Sequence, residues 1–219
     1  MFTGHEFGDG LEPILRTLRA HNTKASFFFT GDFYRNPAFT PFIRQLKREG
    51  HYLGAHSDKH LLYCDWSNRD SLLVTRRQFE ADLRSNYRVM RQRFGLAAKD
   101  APYFLPPYEW YNDSIAAWTI NLGFQLINFT PGTRSHADYT YPGLSNYVSS
   151  DSILASILQY ERSRPAGLNG FILLLHAGVD PRRPDPFYKA ALPRLLLFLQ
   201  EKGYQLLTVE QLLLSASTQ

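Results

Sequence analysis

"EPILRTLRAHNTKASFFFT", residues 12–30, holds the alternation on which the fold turns. Ile14, Leu15 and Leu18 recur at helical spacing and place one apolar stripe on a helix from Glu12 to His21. The run Ala25–Thr30 that follows reads as a strand, with Phe27, Phe28 and Phe29 assigned to the core. Upstream, Phe2-Thr3 is a short strand, so the local order is strand, helix, strand. The pattern then repeats. Pro37–Glu49 is helical through Phe39, Phe42, Ile43 and Leu46, Gly50 ends it, and Tyr52–Ala55 is a strand. Helices are expected over Ser71–Phe94, Asn112–Leu122, Ser150–Arg162, Phe187–Lys202 and from Val209 onward. Strands are expected at Tyr103–Leu105, Gln125–Phe129, Phe171–Leu175 and Gln205–Leu207, seven in all. Such alternation implies an α/β fold with parallel pairing, as an open sheet or a barrel, and the pattern alone leaves that choice open. The polar stretch Pro131–Ser150 reads as a long loop.

Composition narrows the function classes. With 219 residues, 44% of them hydrophobic and 15% aromatic, the chain buries a full core and reads as one domain. A formal charge of +4 is spread along the chain, and the local group Arg84, Arg88, Arg91 and Arg93 reads as the solvated face of a helix, so no nucleic-acid partner is expected. Cys64 is the only cysteine, which excludes an intrachain disulfide. Apolar runs such as Leu195–Leu199 are far too short to span a bilayer. Met1-Phe2-Thr3 enters directly as a strand, which leads us to expect native residues ahead of it.

The residues with chemical potential follow strands: Asp9-Gly10 the first, His56 the third, Pro106-Pro107-Tyr108 the fourth and His176 the sixth. In parallel α/β folds that edge is where binding loops converge. "HSDKH", residues 56–60, has its histidines at i and i+4. If the loop turns helical, their Cβ atoms lie about 5–6 Å apart on one face, within reach of one ion. Asp9 supplies a carboxylate, and an Asp-His-His set with open positions suits a catalytic metal. The alternative is a solvated turn that binds nothing, and the spacing alone does not decide.

Taken in order, D-G at residues 9–10, "KASFFFTG" (24–31), "REGHYLGAHSDKH" (48–60), "YFLPPY" (103–108) and "LLLH" (173–176) resemble the polysaccharide deacetylases, the NodB homology domain of carbohydrate esterase family 4. The resemblance spans residues 1 to about 210. It implies an irregular seven-stranded (β/α) barrel that removes acetyl groups from N- or O-acetylated polysaccharide or peptidoglycan-type glycan. It implies a divalent metal, zinc or else cobalt or nickel, on Asp9, His56 and His60. Tyr108 matches the residue whose backbone N–H holds the oxyanion, and His176 matches the general acid. A secreted, periplasmic or cell-envelope setting is implied as well.

The departures are equally specific. Gly8 stands where the family has its base aspartate, and Leu105 where it has the arginine that orients that base. An arginine without its carboxylate would be a buried unpaired charge, so the two losses belong together. Glu6, two residues before Gly8, points to the same side if residues 6–8 are extended and is a candidate base. The other readings of Glu6 are a polar residue at the strand mouth, or a ligand alongside His5. "NFTPGTRSHADYT" (128–140) replaces the family's Asp-Trp motif; Asp138 is a candidate partner for His176 and Arg134 a candidate substrate contact, both open to being loop polars. Pro107, Trp110, Tyr108, Tyr111 and Phe129 are candidates to face sugar rings, with core packing as the plain alternative. A glycan-binding protein that has lost turnover, and a hydrolase of another amide, remain open.

Overall fold

The computed structural model describes residues 1–216. The chain divides into two compact units, Met1–Ser26 with Phe129–Gln219, and Phe27–Asn128.

In the first unit, β1 (Phe2–Gly4) pairs in parallel with β6 (Leu175–His176), in register Phe2 with Leu175 and Thr3 with His176. Helix α1 (Leu11–Ala20) buries Leu11, Ile14, Leu15 and Leu18, the stripe read from the sequence. It packs against α7 (Phe187–Glu201), which buries Leu192, Leu195, Leu196 and Leu199. A buried leucine side chain contributes about 1.5–3 kcal/mol, so this seam adds substantially to the unit's stability. Gln200 ties the helix ends together, its amide donating to the His21 carbonyl. Helix α6 (Ser150–Ser163) and α8 (Val209–Ala216) complete the unit.

In the second unit the strand order is β5-β4-β3-β2, with β2 at Ser26–Phe29, β3 at Tyr52–Ala55, β4 at Tyr103–Phe104 and β5 at Gln125–Leu126. The β3–β4 and β4–β5 pairs are parallel. Phe27, Phe28 and Phe29 are all fully buried, because both faces of a parallel strand are covered and successive side chains need no polar alternation. Around the sheet lie α2 (Gly31–Arg35), α3 (Thr40–Arg48), α4 (Arg76–Phe94) and α5 (Asp113–Asn121). Arg84, Arg88, Arg91 and Arg93 are exposed, as a solvated helix face requires.

Parallel α/β organisation is as expected, but the described residues hold six strands, not seven. Residues 205–207 join no ladder; Leu206 and Leu207 lie on the rim of an open cavity of about 630 Å³ lined also by Leu192, Leu195 and Leu199, and Leu207 stays exposed. The helix expected from Ser71 begins at Arg76, where Thr75 and Gln78 form a capping box, and Gly95 ends it in the left-handed conformation at φ 62°. The segment ahead of it turns back as a hairpin with Cys64 opposite Leu72. No helix among the described residues is long and apolar enough to cross a membrane.

Candidate active site

In the second unit, His56 leaves β3 almost fully buried, at 3% exposure. Its Nδ1 lies 2.8 Å from the Leu105 carbonyl, and its backbone N–H donates to Asn86 Oδ1 at 3.0 Å. The carbonyl places the ring proton on Nδ1 and leaves the lone pair on Nε2, the outer-shell arrangement that orients a histidine ligand. The loop is not helical. Ser57 and His60 have positive φ, 70° and 55°, a cost the surroundings must offset. Asp82 of α4 does so: its carboxylate accepts from Ser57 Oγ at 2.6 Å, Asp58 N at 2.8 Å and Lys59 N at 3.0 Å. Burial still pushes the Asp82 carboxyl up, against the lowering pull of the Ser57 hydroxyl and the two amides. Asp58 is held in turn by Arg35 at 2.5 Å. The side chain of Asp58 occupies the space a Cβ on Gly31 would need, so only glycine fits there.

This scaffold sets the His56 and His60 rings 5.1 Å apart, centroid to centroid, and the Tyr108 ring 4.4 Å from His60. Tyr108 and Glu109 both have positive φ, 58° and 54°, in the turn after Pro106-Pro107. The Glu109 and Trp110 amides donate back to Pro106 and Pro107, while the Tyr108 N–H has no acceptor among the described residues. Such a turn aims backbone donors outward, which suits an anion-stabilising role. Leu105 is fully buried, and Pro107 is buried with it.

In the first unit, Asp9 is exposed beyond β1. Its Oδ1 accepts the Val179 N–H at 3.0 Å and its Oδ2 accepts the Tyr188 hydroxyl. Burial first, then the bond to Asp9, raises the Tyr188 hydroxyl far above its ordinary range, so it stays a donor. Glu6 is exposed in a bend after β1 ends at Gly4, so no strand alternation fixes its direction. His176, at the end of β6, has Nδ1 2.6 Å from Asp138 Oδ1, while Asp138 Oδ2 accepts the His176 backbone N–H at 2.9 Å. Asp138 is thus occupied by His176 with 1% of its side chain exposed. The Tyr139 ring lies 5.3 Å from the His176 ring. Arg134 is exposed, and Phe129 rests against His136 at 4.9 Å. The loop 131–150 is pinned by buried Arg183, which donates to the carbonyls of Thr140 and Val148 and to Ser150 Oγ.

Asp82, Asn86, Tyr188 and Arg183 escaped the sequence reading. For the first two a signal exists: Asp82 and Asn86 fall on the stripe of α4 that also carries Phe79, Leu83 and Met90, polar positions on a buried face.

Residues 6–127, more than half of the chain, match the polysaccharide deacetylase family. The chain belongs to the polysaccharide deacetylase family. A peptidoglycan-N-acetylglucosamine deacetylase of Bacillus cereus is 28% identical over 213 residues, covering 94% of this chain and 85% of that protein. A crystal structure of a peptidoglycan N-acetylglucosamine deacetylase superposes with TM-score 0.73 at 19% identity, over 96% of this chain and 85% of that one. A carbohydrate esterase family 4 pseudoenzyme from Bacillus anthracis superposes with TM-score 0.71 at 19% identity, over 97% of this chain and 65% of that one. The fold is therefore that of the polysaccharide deacetylases, as the resemblance implied. Among the described residues, no three His, Cys, Asp or Glu side chains group as a metal cage. The His56–His60 pair has the donor type that a divalent transition metal takes, and the Leu105 carbonyl gives His56 the tautomer as well.

Proposed function

We propose that this chain is a deacetylase of N-acetylated, peptidoglycan-type glycan. The observation that carries the reading is the His176–Asp138 pair. A buried carboxylate on Nδ1 fixes the imidazole tautomer and stabilises its charged form, so that Nε2 is the nitrogen that gives a proton to the departing amine. The Tyr108 N–H is the donor offered to the oxygen of the acetyl group as it gains charge, a contribution of about 3 kcal/mol in the transition state. His56 and His60 are the proposed ligands for zinc, cobalt or nickel, and a metal held there would supply Lewis-acid polarisation of the acetyl carbonyl. Glu6 is the proposed acceptor of the proton from the attacking water, exposed and two residues from Gly8. Arg134, exposed, is the proposed substrate contact, whereas Pro107 is buried and Trp110 lies beneath the Arg69 guanidinium.

A second reading has its own observation. Gly8 and the fully buried Leu105 remove the family's base and its orienting arginine, and a similar fold belongs to a pseudoenzyme, a mutant of which has restored enzymatic activity. On that reading the chain binds glycan without turnover. Acetate release from acetylated chitooligosaccharides and peptidoglycan fragments, with the metal-stripped protein resupplied with zinc or cobalt, separates the two. Turnover lost in H176A and E6Q supports the deacetylase; saturable glycan binding without acetate supports the binder.

A further inference from the structure

Trp66 is 58% exposed, which is unusual for so large an apolar ring. It does not sit on a loose loop. Residues 63–73 form a hairpin closed by Leu73 N to Tyr63 O at 2.8 Å and Asp65 N to Ser71 O at 2.9 Å. Asp65 Oδ1 accepts from Ser67 N at 2.8 Å, Ser67 Oγ at 2.5 Å and Asn68 N at 3.0 Å, which fixes the tip and holds the Asp65 carboxyl below its ordinary range. The hairpin is then tied to the segment after Tyr108. Trp110 Nε1 donates to Asp65 O at 3.2 Å, Arg69 Nε to Tyr111 O at 2.5 Å and Asn112 Nδ2 to Arg69 O at 3.2 Å.

The result is a continuous row of flat groups. The Tyr108 ring lies 4.4 Å from His60; Trp66 lies 5.5 Å from Tyr108 and 5.8 Å from Trp110; and the Arg69 guanidinium lies 4.3 Å above Trp110 and 5.3 Å from Tyr111. Arg69 covers Trp110 and Tyr111, so the open apolar face in the row is that of Trp66, with Tyr108 beside it at 44% exposure. Holding a Trp ring in one orientation before the ligand arrives removes the ordering cost of binding.

We infer that the 63–73 hairpin is a saccharide subsite in which Trp66 stacks on a pyranose ring one or more residues away from the sugar at His60 and Tyr108. The inference rests on the proposed glycan substrate and adds to it the requirement for an oligosaccharide. A sugar ring is the ligand that combines an apolar C–H face with polar edges, which an open indole next to polar Ser67, Asn68 and Arg69 matches. The row begins at the histidine pair, so the group reaching Trp66 is a continuation of the chain whose acetamido group lies there.

The test compares wild type, W66A and W66F on N-acetylated chitooligosaccharides from two to six sugars. It reads KM and kcat for acetate release and, independently of turnover, dissociation constants by calorimetry. W66A should raise KM, or Kd, for the longer oligomers by about tenfold, leave the disaccharide unchanged and leave kcat intact, with W66F recovering most of the loss. Thermal melting confirms that the exposed substitution leaves the fold alone. If wild type binds the longer oligomers and W66A matches it at every length, the subsite is wrong while the glycan reading stands. If wild type neither binds nor deacetylates any oligomer, the glycan reading itself falls, and the subsite with it.

Discussion

Asp138 grips His176 twice, through the ring nitrogen at 2.6 Å and the backbone N–H at 2.9 Å. One buried carboxylate thereby sets both the position of the chain at the end of β6 and the tautomer of the imidazole. D138N should keep the backbone contact and lose the charge on Nδ1. Acetate release is expected to fall by about 10²–10⁴-fold with KM little changed, and steady-state kinetics on an acetylated oligosaccharide reads this directly. An unchanged kcat would remove His176 from the role of general acid.

Asp82 is the internal post of the His56–His60 loop. D82A leaves the Ser57 hydroxyl and the Asp58 and Lys59 amides without their acceptor in a buried setting. The expected cost is about 3 kcal/mol or more in urea-induced unfolding, since each unmet buried donor costs about 1–3 kcal/mol. D82N, which keeps one acceptor oxygen, should lose less.

Leu105 lies fully buried where the family has arginine. L105R alone puts an uncompensated charge into that space and should destabilise the protein by about 3 kcal/mol or more. Chemical denaturation checks it; a neutral outcome would mean the position reaches water or a partner that Leu105 does not reveal.

His136 provides a pH signature. Its pKa is lowered from the ordinary 6.5, chiefly by burial, partly offset by Asp138 and reinforced by His176 and Arg134. The folded protein therefore binds this proton less readily than the unfolded chain, so stability rises with pH across the interval from the lowered value up to 6.5. Melting temperatures should drop as pH falls through that window, and H136Q should flatten the slope.

The proposed metal is checked apart from activity. Zinc bound per chain, measured by elemental analysis after dialysis, should approach one in wild type and fall in H56A and H60A. A chelator should lower the wild-type melting temperature and leave H56A unmoved, because only a folded protein that binds metal gains stability from it. Equal retention in wild type and both variants would place any metal elsewhere.

Residue order alone carried the α/β class, the parallel pairing, the family and the positions of His56, Tyr108 and His176. These depend on periodicity and on short motifs at strand ends, both local properties of the chain. The seventh strand failed because apolar runs such as 205–207 fit a cavity rim as well as a ladder, and only packing distinguishes the two. The helix start at Arg76 has a local mark, the Thr75–Gln78 capping box, which apolar periodicity counted from Ser71 does not register. Asp138 was a candidate by position, but its two bonds to His176 cross 38 residues, and no sequence spacing encodes them. The same holds for Asp82 beneath the histidine loop, Tyr188 on Asp9 and Arg183 under the 131–150 loop. Local pattern determines which elements form; which polar groups meet is decided by tertiary structure, because burying a donor or carboxylate is tolerable only where the fold brings its partner to it.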